Sequence, residues 1–160
     1  WACKTAPPFV AETMECLGGN GYVEEAPLAR IYREVPVNSI WEGSGNIMAL
    51  DVVRVLKREP ECALLVLAEI NKIVGGDRHI KSAVERWTKL LEEPDMFEAR
   101  ARMMTEGLAL LAAAALLRAH APEVVADAFN ASRLGPASQR TYGAHCLHAR
   151  SIVDRNFERV

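Results

Sequence analysis

An all-α bundle is the fold this sequence predicts, and three observations carry the prediction. Apolar residues recur at helical spacing, and no alternating stretch is long enough to count as a strand. The apolar content, 50% of the 160 residues, is mostly Ala, Leu and Val, with only 6% aromatic, a balance that favours helix. Proline and glycine clusters cut the chain into pieces of helix length. There is no internal repeat.

Taken in order, the pattern predicts about seven helices. Pro7-Pro8 suit a helix start, where a missing N–H costs little, and Val10, Met14 and Leu17 follow at helical spacing up to Gly18-Gly19-Asn20-Gly21. A short helix spans Pro27 to Val35, and the cap-rich connection Asn38 to Asn46 leads into a helix marked by Ile47, Leu50, Val53 and Leu56. Glu59-Pro60-Glu61 opens the next helix, with proline and acids in the first turn. Its body, Ala63 to Val74, is apolar on most faces and is expected at the centre of a bundle. Asp77 caps a successor whose stripe is Ile80, Val84, Trp87 and Leu91, the i, i+4, i+7, i+11 series of an amphipathic helix. A long helix runs from Phe97 to His120, another from Pro122 to Arg133, and a terminal helix covers about Cys146 to Phe157.

Charge and cysteine usage exclude several classes. Nineteen Lys and Arg against 21 Asp and Glu give a net charge of −2, so no basic bulk points to nucleic acid. Cys3, Cys16, Cys62 and Cys146 form no C-x-x-C pair and read as reduced thiols of a cytoplasmic chain. His145-Cys146-Leu147-His148 lacks the second cysteine that zinc spacing needs, so no metal is expected. No apolar run approaches the ~20 residues of a membrane span. The first residues, Trp1 to Ala6, carry neither an initiator Met nor a cap and read like a chain entered midway.

Two segments carry candidate chemistry. Gly18 to Gly21 follow a helix rather than a strand, and Glu24 stands where a dinucleotide fingerprint needs its third glycine. Taken alone they read as a helix C-cap. Gly43-Ser44-Gly45 is no nucleophile elbow, because Glu42 stands where the elbow needs its first glycine. Glu42 itself stands between Trp41 and the glycines, ahead of a helix starting near Ser44. An aromatic wall would desolvate a carboxylate there and raise its pKa, which suits a general base. A surface acid favoured by a helix N-terminus fits the same placement.

Together, Gly18-Gly19-Asn20-Gly21-Tyr22, then Glu25, Pro27, Arg30 and Arg33-Glu34, then Ile40-Trp41-Glu42-Gly43-Ser44 resemble the C-terminal domain of the acyl-CoA dehydrogenase family in order and spacing. The wording from Val35 to Met48 resembles the AidB-like, adaptive-response branch. The resemblance implies a family-type helical bundle over residues 1–58 and an AidB-like helical extension over 59–160, together forming the C-terminal piece of a longer flavoenzyme and homo-oligomer, a tetramer in the family. It implies that Glu42 removes the α-proton of an acyl-CoA thioester while the β-hydride passes to FAD. Trp41 would wall the acyl site and Gly43 would lie along the thioester. Ser44 and Asn46 would contact FAD, while Glu15, Gly18 and Gly19 would reach the FAD of a neighbouring subunit. Glu15 stands where many members carry Gln. Arg33-Glu34 reads as a structural pair. An FAD site made only of these residues is an edge of one, so the isolated chain is expected to fold but not to retain the cofactor.

The branch is also associated with double-stranded DNA. Residues 58–160 carry fourteen basic against fourteen acidic side chains, and only Arg133, Arg140, Arg150, Arg155 and Arg159 form a locally basic stretch. These are the candidate phosphate contacts, and a solvated helix face is the favoured reading of them. A third reading makes residues 59–160 a subunit-contact bundle with no ligand of its own.

Overall fold

In the computed structural model of the chain, the described residues are 1–41, 43–73, 76–135, 142–144 and 147–157. Among them are nine α-helices and no strand. They are α1 (Ala2–Leu17), α2 (Gly19–Tyr22), α3 (Pro27–Glu34), α4 (Gly45–Arg58), α5 (Pro60–Ile73), α6 (Arg78–Leu90), α7 (Ala101–His120), α8 (Glu123–Leu134) and α9 (Ala149–Phe157), with 3-10 turns at Val35–Ser39 and Pro94–Met96. The all-α expectation holds.

The helices pack in two groups. In the first, α1 packs on α2, α3 and the Val35–Ser39 turn. In the second, α7 is the centre: α4, α5, α6 and α8 all pack against it. The continuous core belongs to this second group and runs from Ala49, Val53 and Leu56 of α4 through Leu67, Ile80, Trp87 and Met104 to Leu111 and Leu134. A fully buried apolar side chain contributes roughly 1.5–3 kcal/mol, so most of the stabilisation resides around α7.

Several expectations are corrected. Pro7 and Pro8 lie inside α1 rather than at its start, so the Cys3 and Lys4 carbonyls lose their intrahelical partners. Packing of α1 on its three neighbours outweighs that cost. In α4 the buried stripe is Ala49, Val53 and Leu56, while Ile47 and Leu50 face outward. The long helix starts at Ala101, not Phe97. Pro94 opens a 3-10 turn instead, and Phe97 is buried from the turn that follows, its N–H bonded to the Pro94 carbonyl at 3.2 Å.

The largest correction concerns α5. Only Ala63, Leu67 and Ile70 are buried, whereas Leu64, Leu65, Val66 and Ile73 are exposed. The helix is flanked by α4 and α7 on one side and is not central. Its apolar residues outnumber the surface those two neighbours cover.

Local signals read correctly include Asp77, whose carboxylate accepts from the His79 and Ile80 amides at 2.9 and 3.2 Å and caps α6. Ile80, Val84 and Trp87 form the buried stripe as spaced. Arg33 is a structural residue, but its partner is Glu24 through two bonds at 2.5 and 2.8 Å, rather than Glu34. The hydrogen bonds from Arg33 hold the exposed Glu24 carboxyl below its usual range.

Candidate functional site

Gly18 ends α1 in a left-handed conformation, φ 57°, with its N–H bonded to the Glu15 carbonyl at 3.1 Å. A side chain there is strained. Gly21 is required for a different reason: a Cβ on it would lie 2.4 Å from the Met14 carbonyl oxygen, so α2 closes backbone to backbone on α1. Gly19 has neither constraint. Its φ is ordinary and nothing lies within 4 Å of a Cβ built on it. Gly18, Gly19 and Glu15 are all exposed, leaving bare backbone at the C-terminal end of α1.

The second segment begins with Ile40 and Trp41, both about two-thirds exposed. Glu42 lies outside the described residues. Gly43 has φ 121°, a conformation essentially restricted to glycine. Ser44 is the N-cap of α4, yet its hydroxyl makes no capping bond, and the first turn carries no acidic residue. Ser44 and Asn46 are exposed. Among the described residues, the first amides of α4 and these two polar side chains find no partner, and at the positive end of a helix dipole they can donate to an anionic or polar ring edge. Exposed Trp41, Ile47 and Met48 add apolar surface beside them.

The two segments sit at opposite ends of α1. Lys4 lies over the first turn of α4, its Cε 2.6 Å from a Cβ built on Gly45. Glu15 is eleven residues farther along the helix, about 16 Å at 1.5 Å per residue. The structure therefore brings Trp41, Gly43, Ser44 and Asn46 together at one end, and Glu15, Gly18 and Gly19 at the other.

The arginine set is more dispersed. The Arg133 guanidinium lies over the Tyr142 ring at 4.9 Å, and Arg150 bonds Asp154 at 2.9 Å. Arg155 is half-buried. Arg140, Arg159 and the His145-Cys146 pair lie outside the described residues. Among the described residues no His, Cys, Asp and Glu side chains gather in a group that could hold a metal ion. Among the described residues no helix is long and apolar enough to cross a membrane.

One polar cluster was missed. Asp77 accepts from Arg118 at 2.5 Å and from Asn130 at 2.7 Å, and Arg118 also reaches Asp127 at 2.6 Å. Burial pushes the Asp77 carboxyl up, but the bonds from Asn130, Arg118 and the two α6 amides outweigh it and leave the pKa lowered. A cavity of about 440 Å³ opens beside Asp77, Arg118 and Asp127. The available signal was an Arg and an Asn at the end of, and facing, an otherwise apolar helix.

The sequence model of the acyl-CoA dehydrogenase C-terminal domain matches residues 1–57. Residues 1–57 belong to the acyl-CoA dehydrogenase family. The chain is 46% identical over 127 residues to the putative acyl-CoA dehydrogenase AidB of Escherichia coli (strain K12), covering 79% of this chain and 23% of that protein. It is 34% identical over 100 residues to acyl-CoA dehydrogenase family member 11 of Caenorhabditis elegans, covering 58% of this chain and 16% of that protein. The short-chain specific acyl-CoA dehydrogenase of Bos taurus mitochondria is 39% identical over 51 residues, or 32% of this chain and 12% of that protein. The chain thus spans less than a quarter of the length of these curated relatives. More than half of the AidB match lies beyond residue 57, so the likeness to AidB extends into the α7-centred bundle. In this dehydrogenase-family segment, Gly18 and Gly21 answer to internal geometry, whereas Gly19, Ser44 and Asn46 remain open to a ligand.

Proposed function

We propose that this chain is the C-terminal part of an FAD-dependent, acyl-CoA dehydrogenase-like oxidoreductase that desaturates the α,β bond of an acyl-CoA thioester. The reading assigns Glu42 as general base: its carboxylate takes the α-proton as the Cα–H bond breaks. FAD, when bound, supplies the hydride acceptor. Exposed Trp41 walls the acyl chain and keeps water from the base. Gly43 leaves the thioester room against the backbone and turns the chain directly into α4. Ser44 and Asn46 donate from the first turn of α4 to the cofactor edge, at the end of a helix dipole that favours negative charge. Gly18, Gly19 and Glu15 meet the FAD of a neighbouring subunit in a family-type tetramer.

The single observation that supports this reading is the separation along α1. Two sets of cofactor positions, one at the start of α4 beside Lys4 of α1 and one about 16 Å farther along α1, suit two different flavins, one held by the subunit itself and one by its neighbour. The arrangement is testable by complementation in the full-length protein. Gly19→Leu and Asn46→Ala should each lower FAD content. Co-assembled subunits, one of each kind, should recover about half of the sites, because one flavin then sees both intact edges. No recovery in co-assembled subunits would overturn the two-flavin reading.

The DNA-binding, alkylation-protection alternative rests on arginines of which Arg133 and Arg150 are engaged within the chain. The alternative of a ligand-free subunit-contact module draws its support from the apolar surface of α5.

A further inference from the structure

Tyr142 reaches back 137 positions to α1, where its hydroxyl donates to the Thr5 carbonyl at 3.3 Å. Its ring meets the Phe9 ring edge-on, with centroids 5.7 Å apart and planes at 65°. The Arg133 guanidinium of α8 lies over the same ring at 4.9 Å, a cation–π contact that ties Tyr142 to the α7-centred group. The two points touched on α1 lie on either side of Pro7-Pro8. Neither proline has an N–H, so two of the backbone bonds that would join the first turn of α1 to the next are missing. A helix interrupted in this way can bend at the break, and outside contacts then set the direction of its first turn. Tyr142 holds Thr5 before the break and Phe9 after it, as a splint does.

That first turn reaches the start of α4. Lys4, next to Thr5, lays its side chain over Gly45: a Cβ built on Gly45 would stand 2.6 Å from Lys4 Cε and 3.5 Å from Lys4 Cγ. Gly45 is flanked by Ser44, the N-cap of α4, and by Asn46, the two polar residues of the proposed cofactor edge. A shift of the first turn of α1 therefore moves the surface on which that edge rests.

We propose that Tyr142 is a positioning residue for the cofactor edge at the start of α4, acting through α1. It stands outside residues 1–57, which match the family's domain, yet it splints the proline break and so holds Lys4 on Gly45, with Ser44 and Asn46 in place. Coupling between separated residues needs an element with more than one arrangement, and the proline-broken turn supplies it. The function of the contact rests on the flavin reading, whereas its mechanics rest on the contacts of Tyr142 alone.

Tyr142→Ala removes both contacts with α1, and Tyr142→Phe removes only the hydroxyl bond. Hydrogen exchange of the 160-residue chain, read by mass spectrometry, tests the mechanics. Peptides from the starts of α1 and α4 should exchange about tenfold faster in Tyr142→Ala and stay within about threefold of the parent in Tyr142→Phe. Peptides from α7 should keep the parental rate. FAD titration of the full-length apoprotein tests the function, with Asn46→Ala as the reference. Tyr142→Ala should raise the FAD dissociation constant by about tenfold and Tyr142→Phe by less, and Asn46→Ala should raise it as well. A constant raised by Asn46→Ala but not by Tyr142→Ala overturns the inference and leaves the flavin reading standing. A constant raised by neither variant overturns the flavin reading and takes the inference with it. Unchanged exchange at the start of α4 overturns the inference, as does faster exchange that spreads equally through α7, since Tyr142 would then only support the fold.

Discussion

The Trp87 indole donates to the Met104 carbonyl at 2.9 Å across the α6–α7 contact, and Gly107, one turn on, leaves the room for the ring. A Cβ at Gly107 would stand 2.8 Å from Trp87 Cδ1. The indole satisfies its donor and fills the core in one placement, which fixes how α6 approaches the central helix.

Gly107→Ala should therefore destabilise the chain despite the better helix propensity of alanine. Overpacking of this kind costs about 1–3 kcal/mol, read as a lower denaturant midpoint with unchanged slope. Trp87→Ala should cost more, about 3–5 kcal/mol.

The glycines that end α1 should separate by role. Gly21→Ala forces a methyl onto the Met14 backbone and should lower the unfolding midpoint. Gly19→Ala meets open space and should leave it nearly unchanged. Thermal melts of the two variants side by side check the distinction.

The acid limb of the stability profile should depend on Asp77. Its folded-state pKa is lowered, because the bonds from Asn130, Arg118 and the α6 amides outweigh burial. A lowered carboxylate contributes stability that is complete above its unfolded value of about 3.9 and is lost as pH falls through the folded value. The parent chain should therefore lose this contribution progressively below about pH 4. Asp77→Asn should show a lower plateau and a shallower acid limb in urea unfolding across pH. Arg118→Met, which removes the charged partner of the Asp77 carboxylate, a side chain 7% exposed, and leaves only its neutral donors, should cost about 3 kcal/mol at neutral pH.

The fold was legible where a signal is local. Asp77 as a cap, Pro60 at a helix start and the Ile80–Val84–Trp87 stripe depend on neighbours within a turn or two, and each reads correctly. Pro7-Pro8 and α5 did not, because packing decides both. Proline tolerance inside α1 depends on three neighbouring elements, and the burial of α5 depends on how many elements cover it. At the candidate site, motif order located Trp41, Gly43, Ser44 and Asn46 on one patch. The distance from that patch to Gly18-Gly19 is set by the length of α1 and by Lys4 meeting Gly45. Neither is visible in a motif. The Arg118 cluster joins Asp77, at the start of α6, to Arg118 and Asn130, 41 and 53 residues on, so no local spacing announced it.

DNA binding, where it occurs, should be weak. With Arg133 stacked on Tyr142 and Arg150 paired to Asp154, few phosphate contacts remain among the described arginines. Retention of a duplex should disappear between about 50 and 200 mM salt. Salt-resistant or sequence-specific gel shifts would contradict the reading.

The 160-residue chain by itself should not retain FAD through purification. On the proposed reading, Gly18-Gly19 and Ser44 to Asn46 each offer only an edge of a separate site, and association must first offset several kcal/mol of lost rigid-body freedom. Flavin absorbance near one equivalent per chain would contradict this.

The central claim is that Glu42 is the base, and anaerobic mixing of the full-length flavoprotein with acyl-CoA tests it most directly. Glu42→Gln keeps the shape of the side chain and removes the proton acceptor. The account predicts that flavin bleaching slows by about 10²–10⁴-fold while FAD content and acyl-CoA binding stay close to the parent. Bleaching at the parental rate in Glu42→Gln would contradict it.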